Sequence, residues 1–332
     1  MRIAIVTDAW SPQVNGVVRT LATVKGELEK RGHAVEVIAP DQFRTIPCPT
    51  YPEIRLAILP GRGVRRRLDA MAPDAIHVAT EGPLGMAARA YCRRRRLAFT
   101  TSFHTRFPEY VEARTGLPRA WLYAWMRRFH APAAGVMVAT DSLMRELAGY
   151  GFRNLRRWSR GVDTELFHPG PKDLYDLPRP IFLNVGRVAV EKNIEAFLDL
   201  DLPGTKVVVG DGPQRAQLER RYPRTVFLGT KKGADLARHF AAADVFVFPS
   251  RTDTFGLVLL ESLAAGVPVA AFPVPGPLDV IDGNPVGVLD EDLAHAARSA
   301  LAIPADRCRS YAEVFSWDRC AEQFLTNLAP VR

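Results

Sequence analysis

Short β-branched and aromatic runs alternate along this chain with longer stretches whose apolar residues recur at helical spacing, which predicts strand, helix, strand in repeated order. Arg2 to Thr7 reads as a strand carrying Ile3, Ile5 and Val6. The loop DAWSPQVNGV follows, with Pro12, Asn15 and Gly16 as turn formers. Val17 to Arg31 is an amphipathic helix with Val17, Leu21, Val24 and Leu28 on one face, closed by Gly32. Ala34 to Ala39 is the next strand. The pattern continues with strands at Asp74–Val78, Leu97–Ser102 and Gly135–Thr140 and helices at Leu84–Arg95 and Arg119–His130. A further helix is capped near Asp141–Ser142. Residues 40–72, rich in Pro, Gly and Arg, read as a surface excursion.

His168 to Pro180 holds four prolines in thirteen residues, the composition of a linker. A second series then begins. Strands are expected at Ile181–Gly186, Thr205–Gly210 and Val226–Leu228, and helices at Asn193–Asp199, Pro213–Arg221 and Ala234–Ala242. The segment Asp244 to Phe272 adds a strand to Phe248, a polar loop, a helix opening near Phe255–Gly256 and ended by Gly266, and a strand from Val267. After Asp290 the pattern is helical. The reading is an α/β protein of two doubly wound domains with mostly parallel sheets.

A length of 332 residues, 47% of them hydrophobic, supplies two cores. The four cysteines, Cys48, Cys92, Cys308 and Cys320, show no CxxC pairing or metal-ligand spacing, which points to a reduced, cytoplasmic protein without structural zinc. The start MRIAIVTDAW enters a strand directly, and no apolar run approaches a membrane span. The net charge of +8 is unevenly placed. Residues 1–168 hold 26 Lys and Arg against 15 Asp and Glu, a balance of +11, and the remainder 18 against 21, a balance of −3. Arg65 to Arg67, Arg93 to Arg96, Arg127 and Arg128 are the densest clusters. A solvated face and an anionic partner are both compatible with them.

The candidate chemistry lies where strands end. Gly186, Arg187 and Lys192 follow one strand, and a fork-shaped and a point cation there suit a diphosphate. The GDGP loop at Gly210 follows another strand on the same edge. The helix N-terminus near Phe255–Gly256 is a third anion-binding element. Glu261 interrupts an apolar helix and Asp253 precedes it in the loop. One reading leaves Glu261 in water on an exposed face; the other uses both acids to hold a hydroxyl-rich, phosphate-bearing ligand. His104, Asp8 and Gly16 flank the corresponding edge of the first domain. Asp8 reads equally as a turn cap.

The motifs TDAWSPQVNGVVRTL, FHT, GVD at Gly161–Asp163, VGRVAVEKN, GDGP and PSRTDTFGLVLLESLAAGVPVA, in this order, resemble the retaining nucleotide-sugar glycosyltransferases of family 4, with the GT-B fold. The likeness runs nearly the whole length. It implies an acceptor-side domain at 1–168, a linker at 169–180, and a donor domain at 181–315 facing the first across a cleft. A last helix at 316–332 would pack back on the first domain. It further implies that Arg187 and Lys192 hold the donor diphosphate, with Gly186 at the same loop, while Glu261 binds the ribose. Asp253 would hold the transferred sugar, and Thr254, Phe255, Gly256, Leu257 and Val258 would meet phosphate or sugar. His104 would lie near the reacting carbon, and Gly16 would let its loop pass the phosphates.

Neither a metal nor another cofactor is implied. The family's motif is Glu, seven residues, Glu, whereas here the first acid is Asp253, which puts the identity of the sugar in question. The N-terminal motif is most similar to GDP-mannose-dependent α-mannosyltransferases and to enzymes that glycosylate lipids. The expectation is therefore a cytoplasmic mannosyltransferase acting on a lipid or glycan, with basic clusters touching the inner face of the membrane. A UDP-sugar-dependent diacylglycerol glycosyltransferase, a UDP-sugar epimerase and a non-catalytic basic binding protein are the alternatives. Nothing resembles a nucleic-acid recognition element.

Overall fold

Strands that must be covered on both faces are built from near-continuous apolar runs, and Ile3 to Val6, Val245 to Val247 and Ile181 to Leu183 are such runs, all wholly buried. The computed structural model describes residues 1–13, 15–48, 51–281 and 283–331. The chain divides into one unit of Met1–Arg160 with Trp317–Arg332 and a second of Gly161–Ser316.

The first unit has strands β1 (Arg2–Val6), β2 (Ala34–Ile38), β3 (Thr45–Cys48), β4 (Tyr51–Ala57), β5 (Ala75–Val78), β6 (Thr100–Phe103), β7 (Gly135–Val138) and β8 (Leu155–Arg157). Six of them form a sheet in the order β2-β1-β5-β6-β7-β8, parallel throughout. The order reverses direction between β1 and β5, so the loops leaving those strands open the crevice where doubly wound sheets take ligands. Asn15 caps the first helix, Gly16–Lys30, its side-chain oxygen accepting the amides of Val17 and Val18 at 3.0 Å.

Residues 40–72 are not the surface excursion that their Pro, Gly and Arg content implies. β3 and β4 pair as an antiparallel hairpin, and a helix, Gly61–Met71, follows. Val64 and Leu68 lie one turn apart on its inner face and are fully buried in the core. Arg62, Arg65, Arg66 and Arg67 share the helix, and this run of cations hides a two-residue apolar stripe from any periodicity count. A helix at Phe107–Thr115 and the edge strand β8 also go beyond the expected elements. The last helix, Trp317–Asn327, is part of the first unit. Trp158 Nε1 donates to Cys320 O at 3.1 Å, and Gln323 Oε1 accepts both the amide and the hydroxyl of Ser159 at 2.8 Å.

The second unit has β9 (Ile181–Val185), β10 (Thr205–Val209), β11 (Val226–Phe227), β12 (Val245–Phe248), β13 (Val269–Ala271) and β14 (Gly287–Leu289). They run parallel in the order β11-β10-β9-β12-β13-β14, reversing between β9 and β12. The first unit ends at Arg160 rather than at residue 168. Val162 N–H donates to Phe315 O, and the Arg309 guanidinium donates to the carbonyls of Thr164, Phe167 and Ala264, all within the second unit. The proline-rich stretch 169–180 also belongs to the second unit. Asp244 holds it, accepting from Lys172 Nζ at 3.0 Å, Arg179 at 2.7 Å and the Ile181 amide at 2.7 Å.

Candidate functional site

In the second unit the two loops at the switch point, after β9 and after β12, carry the polar residues singled out above. Gly186 and Arg187 leave β9 and are half-buried. A short 3₁₀ turn, Val190–Lys192, then presents Lys192, and Asn193 at φ 52° ends that turn and donates from Nδ2 to Pro249 O at 3.1 Å. This bond ties the β9 loop to the β12 loop. Thr252 Oγ1 adds a second tie, donating to Glu191 O at 3.1 Å. The result places Lys192 Nζ 2.5 Å from Asp253 Oδ1. Both side chains are mostly buried, and Asp253 Oδ2 is buried without a hydrogen-bond partner among the described residues. A carboxylate oxygen in that position favours a hydroxyl or ammonium donor strongly, because leaving it unpaired costs about 1–3 kcal/mol.

The helix Leu257–Ala264 begins just beyond. Gly256 caps it at φ 79°, and a Cβ there would lie 3.1 Å from the Leu259 side chain and 3.3 Å from the Phe248 ring, so only glycine fits the corner. First-turn amides face outward from such a corner. Thr254, Leu257 and Val258 are half-buried, while Phe255 packs inside at 4% exposure. Glu261 is 2% exposed among Leu259, Leu260 and Leu263, so the reading that leaves it on a wet helix face is wrong. The Gly210–Gly212 loop packs backbone to backbone on the Gly186–Val188 loop. A Cβ on Gly210, at φ 149°, would come within 1.8 Å of Gly186 O. Val188 N–H donates to Asp211 O at 2.9 Å. The three expected loop elements are thus gathered on one sheet edge.

The first unit's candidates separate. Asp8 caps a helix: its carboxylate accepts the amides of Leu84 and Gly85, at 2.9 and 3.3 Å, and the Thr80 hydroxyl at 2.8 Å. Burial raises its pKa against those hydrogen bonds. That is a structural role. Gly16 is the first residue of its helix. His104 follows β6 directly and is held at both ring nitrogens. Arg160 approaches Nδ1 at 3.3 Å and Ser102 Oγ lies 2.8 Å from Nε2. Burial, then the charge of Arg160, holds its pKa well below the usual histidine range. Arg160 and Ser102 escape a reading by motif because their meaning lies only in what they touch. Two further side chains, His77 and Thr100, extend this polar chain inside the sheet. His77 of β5 bonds Thr100 and Ser102, at 2.9 and 3.1 Å, and burial lowers its pKa to about 3.

Two family models match the chain, Glycosyltransferase Family 4 over residues 14–166 and Glycosyl transferases group 1 over residues 179–303. The chain is 32% identical over 318 residues to a GDP-mannose-dependent alpha-mannosyltransferase of Mycobacterium tuberculosis, covering 87% of this chain and 83% of that one. It is 30% identical over 353 residues to the alpha-monoglucosyldiacylglycerol synthase of Streptococcus pneumoniae, covering 92% and 79%. Among solved structures, the sucrose-phosphate synthase of Thermosynechococcus elongatus superimposes with a TM-score of 0.79 at 19% identity, covering 98% and 97%.

Proposed function

The chain belongs to glycosyltransferase family 4, with the two Rossmann-like domains of the GT-B fold, and on that premise we propose that it transfers α-mannose from GDP-mannose to a lipid or glycan acceptor with retention of anomeric configuration. The observation that carries the reading is the Lys192–Asp253 contact at the β9–β12 switch point. It sets a cation for the diphosphate beside a carboxylate whose second oxygen is buried and suited to a sugar hydroxyl. The donor sugar and its base follow the named donor of the M. tuberculosis relative.

In this reaction the acceptor hydroxyl attacks from the face that the diphosphate leaves, and the departing phosphate oxygen takes the hydroxyl proton. Arg187 and Lys192 offset the charge growing on that phosphate, which removes the need for a metal ion. The first-turn amides of Leu257 and Val258 reach the same charge. Asp253 orients the sugar, Glu261 binds the ribose, and Gly186 admits the diphosphate to the backbone. His104 is the residue of the first domain that the family resemblance assigns to the transferred sugar. The protein contributes position and field rather than a nucleophile. Asp253, one methylene shorter than the family's glutamate, is the residue through which sugar choice is set.

Donor identity is tested by thermal unfolding. GDP and GDP-mannose at about 100 times Kd should each stabilise the protein by about 2.7 kcal/mol. UDP and UDP-glucose should leave the transition in place. A shift with the uridine nucleotides alone would favour the second reading, a UDP-sugar-dependent diacylglycerol glycosyltransferase, which the 30% identity to the S. pneumoniae synthase supports.

A lipid acceptor agrees with one face of the first unit. Trp121 and Trp125 stand four apart on the helix Arg119–His130, the spacing of a core stripe, yet they are 71% and 44% exposed. The core side of that helix is Tyr123, Met126 and Phe129 instead. Leu117, at 47% exposed, extends the apolar stripe, and Arg119, Arg127 and Arg128 are exposed beside it. Tryptophan with arginine is the composition of a membrane interface. No helix among the described residues is long and apolar enough to cross a bilayer. The protein should float with vesicles containing anionic lipid, less so at high salt. A Trp121→Ala, Trp125→Ala double variant should lose most of that binding. Equal flotation with neutral vesicles would refute a charge-assisted contact.

A further inference from the structure

Arg160 is a buried cation with no anionic partner among the described residues. It is 5% exposed, and its guanidinium donates to the carbonyls of Trp158 at 2.7 Å and Ser159 at 3.0 Å while lying 4.4 Å above the Trp158 ring. The remaining partner is His104 Nδ1, at 3.3 Å. No carboxylate is among its contacts in the described residues. Cys320, the ionisable group whose charge would favour it, has its thiol pushed up to about 11 by burial and is therefore neutral. A bare guanidinium inside a protein is costly to keep, and structures keep such groups where their field or geometry is used.

The donor set fixes what it does to His104. A guanidinium can only donate, so Nδ1 must accept, and the ring proton must sit on Nε2. Nε2–H then donates to Ser102 Oγ at 2.8 Å, and Ser102 directs its own hydroxyl to Ala79 O at 3.2 Å. The hydrogen bonds close with the imidazole neutral. Protonating Nδ1 would turn an N–H towards another N–H and set two cations 3.3 Å apart. The other titratable groups facing the ring are His77 from β5 and His130 from the helix Arg119–His130, neither of which offers a positive ring a negative charge. Trp158 packs edge-on at 5.6 Å and holds the ring plane.

We infer that Arg160 is a positioning residue for His104, locking the imidazole in its Nε2–H tautomer and uncharged, so that His104 serves the transfer as a fixed neutral wall and not as a proton carrier. This rests on the reading that His104 borders the transferred sugar, and the test separates the two. Long-range proton–nitrogen correlation spectra of histidine-labelled protein, with His104→Gln for assignment, report the tautomer directly. His104 should show a bare Nδ1 and a protonated Nε2, unchanged from about pH 8 to about pH 5.5. A protonated Nδ1, or titration near the ordinary histidine value, would overturn the inference on wild-type protein alone.

In Arg160→Met the His104 midpoint should rise from its wild-type position, with burial still holding it below the ordinary histidine value. With it kcat should fall about tenfold at pH 6 and less at pH 8, with donor KM within about threefold. Arg160→Lys, which restores a donor, should return the midpoint towards wild type. A midpoint that Arg160→Met leaves unmoved would overturn the inference. A moved midpoint with unchanged kcat would support the assignment of Arg160 and overturn the place given to His104 in the transfer.

Discussion

Lys192→Ala is expected to lower kcat/KM by about 100- to 1000-fold, the cost of removing one preorganised donor from a developing negative charge, or about 2.7–4 kcal/mol. The lysine lies on the loop after β9, and its Nζ is already placed against Asp253 at 2.5 Å. The substitution also leaves Asp253, whose other oxygen is buried, without its cation, so two explanations of a lost activity must be separated. Steady-state release of nucleotide diphosphate in the single variants and in a Lys192→Ala, Asp253→Ala pair does this. If Lys192 serves only to neutralise Asp253, the double variant is no slower than Asp253→Ala alone. If it serves the leaving diphosphate, the double variant is slower than either single variant, and Lys192→Arg retains part of the rate. Turnover of Lys192→Ala within threefold of wild type would remove the role proposed for this residue.

Glu261→Gln should raise donor KM and the Kd for GDP by about 30-fold, with kcat changed far less. A hydrogen bond to a charged acceptor is worth about 1.5–3 kcal/mol, and amide for carboxylate preserves volume while removing the charge. Glu261 is 2% exposed in a helix whose neighbours Leu259, Leu260 and Leu263 are completely buried. Titration calorimetry with GDP and with 2′,3′-dideoxy-GDP isolates the cause. Wild type should prefer GDP by one to two orders of magnitude, by the same hydrogen-bond energies. The variant should lose most of that preference. A variant that still discriminates as wild type does would show that Glu261 supports the helix and not the ribose.

These expectations draw on residues of different legibility. The order of elements was open to periodicity wherever a strand is an uninterrupted apolar run, as in β1, β9 and β12, or a helix has a regular inner stripe, as in Gly16–Lys30. The helix Gly61–Met71 was not, since two buried residues among four arginines leave too small a signal against a charged background. The pair Trp121 and Trp125 has the spacing of a core stripe, yet both are exposed, and the residue that packs inward between them is Tyr123, which stacks on Tyr150 at 3.8 Å.

By itself the amino-acid sequence determined two doubly wound halves, the family, and the loops that carry Arg187, Lys192, Asp253 and Glu261, because strand ends, glycine corners and charged loops are local features of the chain. The tertiary structure alone decided what those residues touch. Lys192 meets Asp253 across sixty-one positions because β9 and β12 are neighbours at the point where the strand order reverses. Asp8 caps a helix that starts seventy-five residues later. Arg160 closes on His104 across fifty-six positions. Such contacts depend on sheet order and burial, and spacing along the chain carries no trace of either.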